Sequence, residues 1–278
     1  MPSERSDRFG TADYADHYAT VNDLSDRRYE ETATWYQRIL ADVLGDLRHD
    51  AKLLDVGCGA GLLLHALRRA GFTHITGFDA SESLCSLAAA RGLPVRHVAT
   101  DFIETASGEI PERYDVIFLL DVLEHIPTAR HMAFLAGLRM LLQSGGQLVI
   151  AVPNATSALA SRWRHIDWTH ETAFTEHSLR FVLKASGFHD IRFLPHEFFS
   201  RPRFPFLLRR SVLHWWLHRL MRGFRRLQVV GELGTEGWNV PLSLNLLAVA
   251  ARGGASTPSC HPGDAHATAT PPQADIRP

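Results

Sequence analysis

The chain has few cysteines, and none of them is arranged as a metal-binding or disulfide pair. Its 278 residues contain three, Cys58, Cys85 and Cys260, which lie far apart in the sequence. The odd number and the wide spacing argue against a disulfide framework and against a cysteine-based metal centre. The cysteine content is typical of a reducing compartment, and we therefore expect a cytoplasmic location.

Long apolar runs and a large net charge are absent as well. Because no run of about twenty uncharged apolar residues occurs, no transmembrane helix is predicted. The first residues, Met1 to Arg5, are polar and charged and do not resemble a secretory signal. Lys and Arg total 29 and Asp and Glu total 30, a formal net charge of −1. This balance does not indicate nucleic acid as a partner.

Strand-like and helix-like segments alternate along the middle of the chain, from about residue 52 to residue 154. Such alternation predicts an α/β fold with a parallel, doubly wound sheet. Beyond it, the pattern predicts a helix over 175–185, with Thr175 as its N-cap and Gly187 as its left-handed end. A sixth strand is predicted over 188–195 and a seventh over 244–251. A helical pattern also runs from Tyr14 to about Leu47.

A glycine-rich turn joins the first strand to a helix. Residues 55–61 read Asp-Val-Gly-Cys-Gly-Ala-Gly, and glycines let the backbone approach a ligand closely. A dinucleotide fingerprint, G-x-G-x-x-G, needs its third glycine at position 62, where this chain has Leu62. The spacing therefore disfavours an NAD-linked oxidoreductase. Asp55 would repel a pyrophosphate, but it suits a ligand that carries positive charge.

Acidic residues end the apolar runs that follow the glycine turn. Asp79 ends the run Ile75–Phe78, where a carboxylate can accept hydrogen bonds from both hydroxyls of a ribose. Asp101 and Phe102 end a third run, and Asp121 ends the fourth strand, which starts at Tyr114. We expect these side chains to meet at the carboxyl edge of the sheet.

This order of motifs resembles the class I S-adenosylmethionine (SAM)-dependent methyltransferases. The resemblance implies a Rossmann-like sheet of seven mostly parallel strands, with an antiparallel last strand at the edge. It implies SAM as cofactor, whose ammonium and sulfonium match the charge of Asp55, and an acid at the end of the third run that meets the adenine amino group. The cofactor-binding residues that it implies are Asp55, Gly57, Cys58, Gly59, Gly61, Asp79, Ala80, Asp101, Phe102 and Asp121.

The segment from Asp121 to His125, Asp-Val-Leu-Glu-His, resembles a D/E-x-x-E-H motif of that family. The motif occurs in O-methyltransferases of ubiquinone biosynthesis and in Mg2+-dependent RNA 2′-O-methyltransferases. In the metal-dependent relatives, two acids and two histidines bind a divalent ion beside the acceptor hydroxyls. The matching residues are Asp121, Glu124, His125 and the distant His170. Asp121 departs from the glutamate of the metal-binding version. The alternative to a metal site is that Glu124 and His125 form hydrogen bonds that shape the active-site loop.

His125 and His170 are also the candidates for general base, because neutral imidazole is available near pH 7. The region from Arg162 to His170, with the helix that follows it, resembles a bacterial subgroup that serves quinone, polyketide or cell-surface polysaccharide pathways. That resemblance implies an acceptor pocket walled by Trp163 and Trp168. The acceptor itself is left open, as a small molecule or a lipid-linked one.

The predicted organisation has five parts. Residues 1–50 form an N-terminal helical lid, in which Tyr14, Tyr18 and Trp35 are candidates for contact with the cofactor. Residues 51–196 form the SAM-binding core, 197–242 a basic amphipathic helical insertion, 243–252 the last core strand and 253–278 a disordered tail.

The insertion is the least standard part of the sequence. From Phe198 to Gly231 it holds eight arginines and no acid, interleaved with Trp, Phe and Leu. Four roles are open. The insertion could contact an anionic membrane, which would place the protein at the inner membrane face, or bind an anionic or lipid-linked substrate. It could also form a dimer interface, or simply pack on the core with its arginines in solvent. For the whole chain, O-methyl transfer is the favoured function, and a catalytically silent SAM-fold binding protein is the alternative.

Overall fold

A computed structural model describes residue 18 and residues 23–105, 108, 110–197 and 210–253. The described residues contain one seven-stranded sheet with the strand order β3-β2-β1-β4-β5-β7-β6. The first five strands pair in parallel, and β7 runs antiparallel to both of its neighbours. The strands are β1 (Lys52–Val56), β2 (His74–Asp79), β3 (Val95–His97), β4 (Tyr114–Leu120), β5 (Leu142–Pro153), β6 (His189–Leu194) and β7 (Asn245–Ala251).

The predicted seven-stranded, mostly parallel sheet with an antiparallel last strand is confirmed, but the predicted edge position of that strand is wrong. The last strand, β7, lies between β5 and β6, and β6 is the edge strand. Burial explains the order. Six of the seven residues of β7 are buried, so the strand needs neighbours on both sides, whereas only Ile191 of β6 is buried.

The helices cover both faces of the sheet. They are α1 (Asp26–Ile39), α2 (Ala41–Leu44), α3 (Leu62–Arg69), α4 (Glu82–Ala90), α5 (Thr100–Thr105), α6 (His131–Leu141), α7 (Ala160–Ile166), α8 (Glu176–Ala185) and α9 (Arg210–Leu233). Successive strand residues point to opposite faces, so Leu54 and Ile117 join one core cluster while Leu53 and Val116 join the other. Double-sided burial is why the strands read as continuous apolar runs.

The N-terminal helix is interrupted within its predicted range. Within the described residues, α1 starts after Ser25, whose hydroxyl accepts a hydrogen bond from the Arg28 amide, and the helix breaks at Leu40 before α2. Tyr29 fastens α1 to the glycine turn, because its hydroxyl donates to the Ala60 carbonyl at 2.6 Å. Tyr14 and the tail after residue 253 lie outside the described residues.

Helix α8 confirms the predicted local signals. Thr175 caps it by accepting a hydrogen bond from the Ser178 amide at 3.2 Å, and Ser178 Oγ accepts one from the Thr175 amide at 3.0 Å. Gly187 follows the helix with φ +86°, in the left-handed region. The reciprocal cap fixes the residue at which α8 begins after the connection from the carboxyl edge of the sheet.

Replacing Thr175 with Ala removes the side-chain half of this cap. We expect Thr175→Ala to lower the free energy of unfolding by about 1 kcal/mol, measured by urea denaturation. Thr175→Ser keeps the hydroxyl and is the matched control. Equal destabilisation by both substitutions would contradict a capping role for the hydroxyl.

Candidate active site

The glycine turn follows β1 and is anchored to the end of β2. The amides of Gly57 and Cys58 both donate to the Phe78 carbonyl, at 2.7 and 3.1 Å. Gly57 has φ +75°, and a Cβ on it would collide with the side chain of Val122 after β4. A residue with a side chain is therefore excluded at this position, and the turn keeps the backbone accessible at the carboxyl edge of the sheet.

Asp79 accepts hydrogen bonds through both carboxylate oxygens, one of them from the glycine turn. Oδ2 accepts a hydrogen bond from the Gly59 amide at 2.7 Å, and Oδ1 accepts one from the Ser81 amide at 2.8 Å. Each oxygen has a second lone pair, so hydroxyl groups of a ligand can still donate to the same carboxylate. Burial raises the pKa of Asp79 above its usual value despite these two bonds.

Asp55 lies beneath the turn with only 4% of its surface exposed. Burial raises its pKa to about 8, and the nearby Asp79 adds to the rise. A buried carboxylate with this pKa is largely protonated at neutral pH. A cation placed beside it would restore its charge, so the site favours a positively charged ligand.

Tyr18 and Tyr36 bring the N-terminal segment to these acids. The Tyr18 hydroxyl lies over Gly59, where it would be 3.1 Å from a Cβ on that residue. Burial raises the pKa of both phenols, and Asp55 contributes to each rise. Tyr18 belongs to the predicted N-terminal lid, whose role stays a prediction, and Tyr36 lies in α1.

Asp101 does not lie at the end of a strand, and that prediction is wrong. Strand β3 ends at His97, and Asp101 lies in the first turn of α5 with its side chain exposed. An acid is favourable at the start of a helix, which explains the earlier end of the strand. The neighbouring Phe102 packs against the core. Ala80 follows Asp79, and its carbonyl is 3.0 Å from Nε2 of His97.

Asp121 follows β4 in the left-handed conformation, with φ +56°. Its Oδ1 accepts a hydrogen bond from Nδ2 of Asn245 at 2.5 Å. Although Asp121 is exposed, desolvation of its carboxylate by the surrounding protein raises its pKa to about 6, against the effect of the Asn245 bond. The sequence analysis missed Asn245, whose signal is a polar residue at the first position of a strand that is otherwise apolar.

Asn154 organises the same region from the end of β5. It is fully buried, and its Nδ2 donates to the carbonyls of Pro241 and Ser243, at 2.9 and 2.8 Å. Its Oδ1 accepts a hydrogen bond from the Thr156 amide at 2.9 Å. The connection that leads into β7 is thereby fixed at the carboxyl edge of the sheet.

Glu124, His125 and His170 converge next to Asp121. One ligand atom of each lies within 4.8 Å of the others, and the two imidazole rings meet edge to face with centroids 4.6 Å apart. Glu124 is 1% exposed, and neither of its carboxylate oxygens has a hydrogen-bond partner among the described residues. Burial, then Asp121, raises its pKa well above the usual value. Asp121 itself is not part of this cluster.

The segment 163–171 positions both histidines. Asp167 Oδ1 accepts from the Thr169 hydroxyl at 2.7 Å, so the Thr169 oxygen is an acceptor for Nδ1 of His125, also at 2.7 Å. Nδ1 of His170 donates to the Trp163 carbonyl at 2.8 Å. Nδ1 is therefore a hydrogen-bond donor in both rings. The segment is joined to the motif by the Glu171 amide, which donates to the Glu124 carbonyl at 2.7 Å.

The surroundings of His125 and Asp167 set the protonation states of these two side chains. Burial and the neighbouring His170 lower the pKa of His125 to about 4, so its imidazole is neutral at pH 7. Burial acts to raise the pKa of Asp167, but hydrogen bonds from Thr169 outweigh it and hold that pKa below the usual value. The arrangement is a carboxylate, a hydroxyl and a neutral imidazole in series.

Comparison with known proteins agrees with this geometry. A family profile described as a methyltransferase domain matches residues 25–192, more than half of the chain. The chain belongs to the class I SAM-dependent methyltransferases. The match includes the glycine turn, Asp79 and the motif from Asp121 to His125.

Curated relatives with similar sequences are O-methyltransferases of ubiquinone biosynthesis. The chain is 37% identical over 112 residues to the one from Xylella fastidiosa, 39% of this chain and 44% of the relative. It is 32% identical over 107 residues to the one from Proteus mirabilis, 37% of this chain and 42% of the relative. In each case the match spans less than half the length of the curated relative.

Solved structures of methyltransferases share the fold. A SAM-dependent methyltransferase from Archaeoglobus fulgidus superimposes with a TM-score of 0.56 at 20% identity, covering 79% of this chain and 94% of that one. Phosphoethanolamine N-methyltransferase 2 from Haemonchus contortus gives 0.51 at 16% identity, covering 91% and 60%. At these identities the comparison establishes the fold alone.

No helix among the described residues is long and apolar enough to cross a bilayer.

Asp55 should lose a proton when a cationic ligand binds. Because its pKa of about 8 falls beside a positive charge, we expect SAM binding at pH 7 to release protons. Asp55→Asn should abolish this release and weaken binding by at least about tenfold. Isothermal titration in buffers of different ionisation enthalpy measures both quantities, and Asp42→Asn, at an exposed position, is the control. Equal proton release by the wild type and Asp55→Asn would contradict this assignment.

Proposed function

We propose that this chain binds SAM at the glycine turn and methylates a hydroxyl group of a small or lipid-linked acceptor. The observation that carries the proposal is the pair of histidines, His125 and His170, next to Asp121 at the same edge of the sheet as Gly57 and Asp79. The residues that would bind the methyl donor and the histidines that would accept the proton therefore lie at the same edge, as in-line transfer of a methyl group requires.

Each group of the turn has a part in holding the donor. Asp55 would pair with a positive charge of SAM, Asp79 would accept hydrogen bonds from the ribose, and Gly57, Cys58, Gly59 and Gly61 would let its backbone approach. Ala80, Asp101, Phe102 and Asp121 complete the proposed binding set. When bound, SAM supplies a methyl group on a sulfonium, which is already an activated leaving group.

The histidines would remove the proton of the acceptor. As the acceptor oxygen forms its bond to the methyl carbon and the carbon–sulfur bond breaks, the hydroxyl proton passes to Nε2 of His125 or His170. Thr169 and the ionised Asp167 would stabilise the imidazolium formed on His125. His170 is held by the Trp163 carbonyl, which fixes the direction of its Nε2.

Two observations bear on the nature of the acceptor. The curated relatives are named for O-methylation in ubiquinone biosynthesis, which favours a phenolic hydroxyl over an amine. Trp168 is 83% exposed beside the His125–Thr169 contact and could pack on a ring. A quinone, polyketide or glycan precursor is consistent with these features.

A divalent metal ion is a second proposal at the same cluster. The donor set fits one: a ring nitrogen from each of two imidazoles, and a buried carboxylate whose oxygens lack partners among the described residues, lie together. Nδ1 of each ring is hydrogen-bonded, so Nε2 would be the ligand atom. Glu124, His125 and His170 would hold the ion, and Asp121, the fourth residue implied by the resemblance, lies outside this cluster. The ion would supply a positive charge that lowers the pKa of an acceptor hydroxyl.

The histidine proposal is tested by single substitutions. We expect His125→Ala and His170→Ala to lower turnover at saturating SAM by about 10²–10⁴-fold for the residue that acts as base, with little change in SAM affinity. The assay is methyl transfer from radiolabelled SAM to a cell extract separated into lipid and aqueous pools. His165→Ala, at an exposed position nearby, is the control.

Two outcomes would count against this function. Unchanged turnover in both histidine variants would exclude base and ligand roles together. Tight SAM binding by the wild type without a labelled product from any pool would favour the catalytically silent alternative.

The metal proposal is tested by Glu124→Gln, which keeps the shape of the side chain but not its charge. We expect the wild type to bind Mn2+, as a spectroscopic substitute for Mg2+, and Glu124→Gln to lose at least about tenfold in affinity, measured by electron paramagnetic resonance. Glu171→Gln is the control. Absence of Mn2+ binding by the wild type, with full turnover in the presence of EDTA, would refute a metal role and leave the base role intact.

A further inference from the structure

Helix α9, in the predicted insertion, presents its apolar side chains to solvent. Seven large apolar residues, each at least half-exposed, lie on one side of it at helical spacing, and we refer to them as the outer apolar stripe. They are Leu213, Trp216, Leu217, Leu220, Met221, Phe224 and Leu227, with exposures of 50–66%. Steps of three and four residues place side chains on a common face of a helix.

The opposite face of α9 packs on the protein and carries polar groups. Val212 and Val229 are buried there. Arg226 Nη1 donates to the carbonyls of Gly237 and Val240, at 2.5 and 2.8 Å, and Arg222 pairs with Glu197 at 3.0 Å. Two of the arginines are therefore used within the fold. A helix that only packs on a core would place its widest apolar face inward, and α9 does the reverse.

Cationic residues flank the stripe. Arg210 and Arg219 are exposed, Arg219 stacks over Trp215 with 5.7 Å between its guanidinium and the ring centroid, and Arg225 bonds Gln228. None of the three forms a salt bridge within the described part of the chain. The segment 198–231 contains no acid. The surface thus combines exposed apolar area with positive charge.

We propose that the outer apolar stripe of α9 docks on an anionic lipid membrane. Leu213 to Leu227 spans about 21 Å at 1.5 Å per residue, and such a helix lies in the plane of the interface rather than across it. Its apolar side chains enter the boundary between headgroups and acyl chains, while Arg210, Arg219 and Arg225 meet anionic headgroups. Apolar burial and charge then act together, as stable peripheral attachment requires.

Charge favours a membrane over a second copy of the chain. In a two-fold symmetric dimer through this stripe, the same face meets itself. The arginines beside the stripe would then approach their counterparts with no acid on α9 between Arg210 and Gly231 to pair with them. An anionic lipid surface removes that repulsion.

Helix α9 is connected to the proposed site through the chain that follows it, so docking would hold the site near a membrane. Helix α9 leads through the turn at Gly234–Trp238 to Asn245, which is bonded to Asp121, and Glu197, the partner of Arg222, also bonds Arg38 of α1 through its carbonyl. This consequence rests on the proposed function and favours a lipid-linked acceptor. The docking itself does not depend on methyl transfer.

Vesicle co-sedimentation tests the proposal with the full chain. We expect binding to vesicles of phosphatidylcholine and phosphatidylglycerol, weak binding to phosphatidylcholine alone, and weakening as salt is raised. The double variant Leu220→Gln with Phe224→Gln should bind at least about tenfold more weakly, and Arg219→Gln with Arg225→Gln should lose the preference for anionic lipid. Phe181→Gln, which removes an aromatic ring that is 64% exposed on α8, is the matched control and should bind as the wild type does.

Three results would overturn the proposal. They are absence of binding, equal binding to neutral and anionic vesicles, and equal loss in the Phe181 control. Sedimentation velocity without lipid gives a fourth: a dimer that dissociates in the Leu220–Phe224 variant would assign the stripe to a second copy. Circular dichroism and thermal unfolding of each variant establish that it is folded. SAM binding should be unchanged, because none of the proposed SAM-binding residues lies on α9.

Discussion

Several acidic side chains lie at one edge of the sheet, where the protein removes their carboxylates from water. The properties of the site depend on the free energy that is needed to keep these carboxylates ionised. Asp55, Asp79 and Glu124 have raised pKa values because burial removes them from water, and Asp121 joins them at the end of β4. Taking a carboxylate out of water costs several kcal/mol unless a partner compensates. Positive charge brought by ligands relieves that cost, so the protein is prepared electrostatically for cations before any of them binds.

Backbone amides and one asparagine hold two of these acids in place. The Gly59 and Ser81 amides fix Asp79, and Asn245 fixes Asp121 from the first residue of β7. Asn154 does the same for the chain that leads into β7. Neutral donors orient the carboxylates without neutralising them, which leaves their charge for a ligand.

Much of the fold followed from local signals in the sequence. Apolar runs ending in Asp79 and Asp121, the glycine spacing, and the Thr175 cap each act within a few residues, and the structure has them as predicted. The two errors involve forces outside that range. The position of β7 in the sheet depends on whether strands pair with both of its edges, which residues distant in sequence decide. The end of β3 depends on which residues join the helix that starts at Thr100 instead of extending the strand.

The residues of the site also fall into those that the sequence predicted and those that it did not. The motif from Asp121 to His125 and the distant His170 were recognised as a group through family resemblance, and they do converge, apart from Asp121. Asn245 and the Asp167–Thr169 pair were not recognised as functional, because single polar residues in ordinary-looking segments acquire a role only when the chain folds back. Their hydrogen-bond partners are 124 and 44 residues away in sequence.

The antiparallel direction of β7 has an evolutionary consequence. In the parallel strands, only the segments that follow a strand reach the site, but β7 enters the sheet at that edge, so the segment preceding it reaches the site too. Residues between β6 and β7 can therefore lengthen or change character without altering the glycine turn or the order of the strands. Changes in this one connection could thus alter which acceptor is used, while the residues around the glycine turn stay the same.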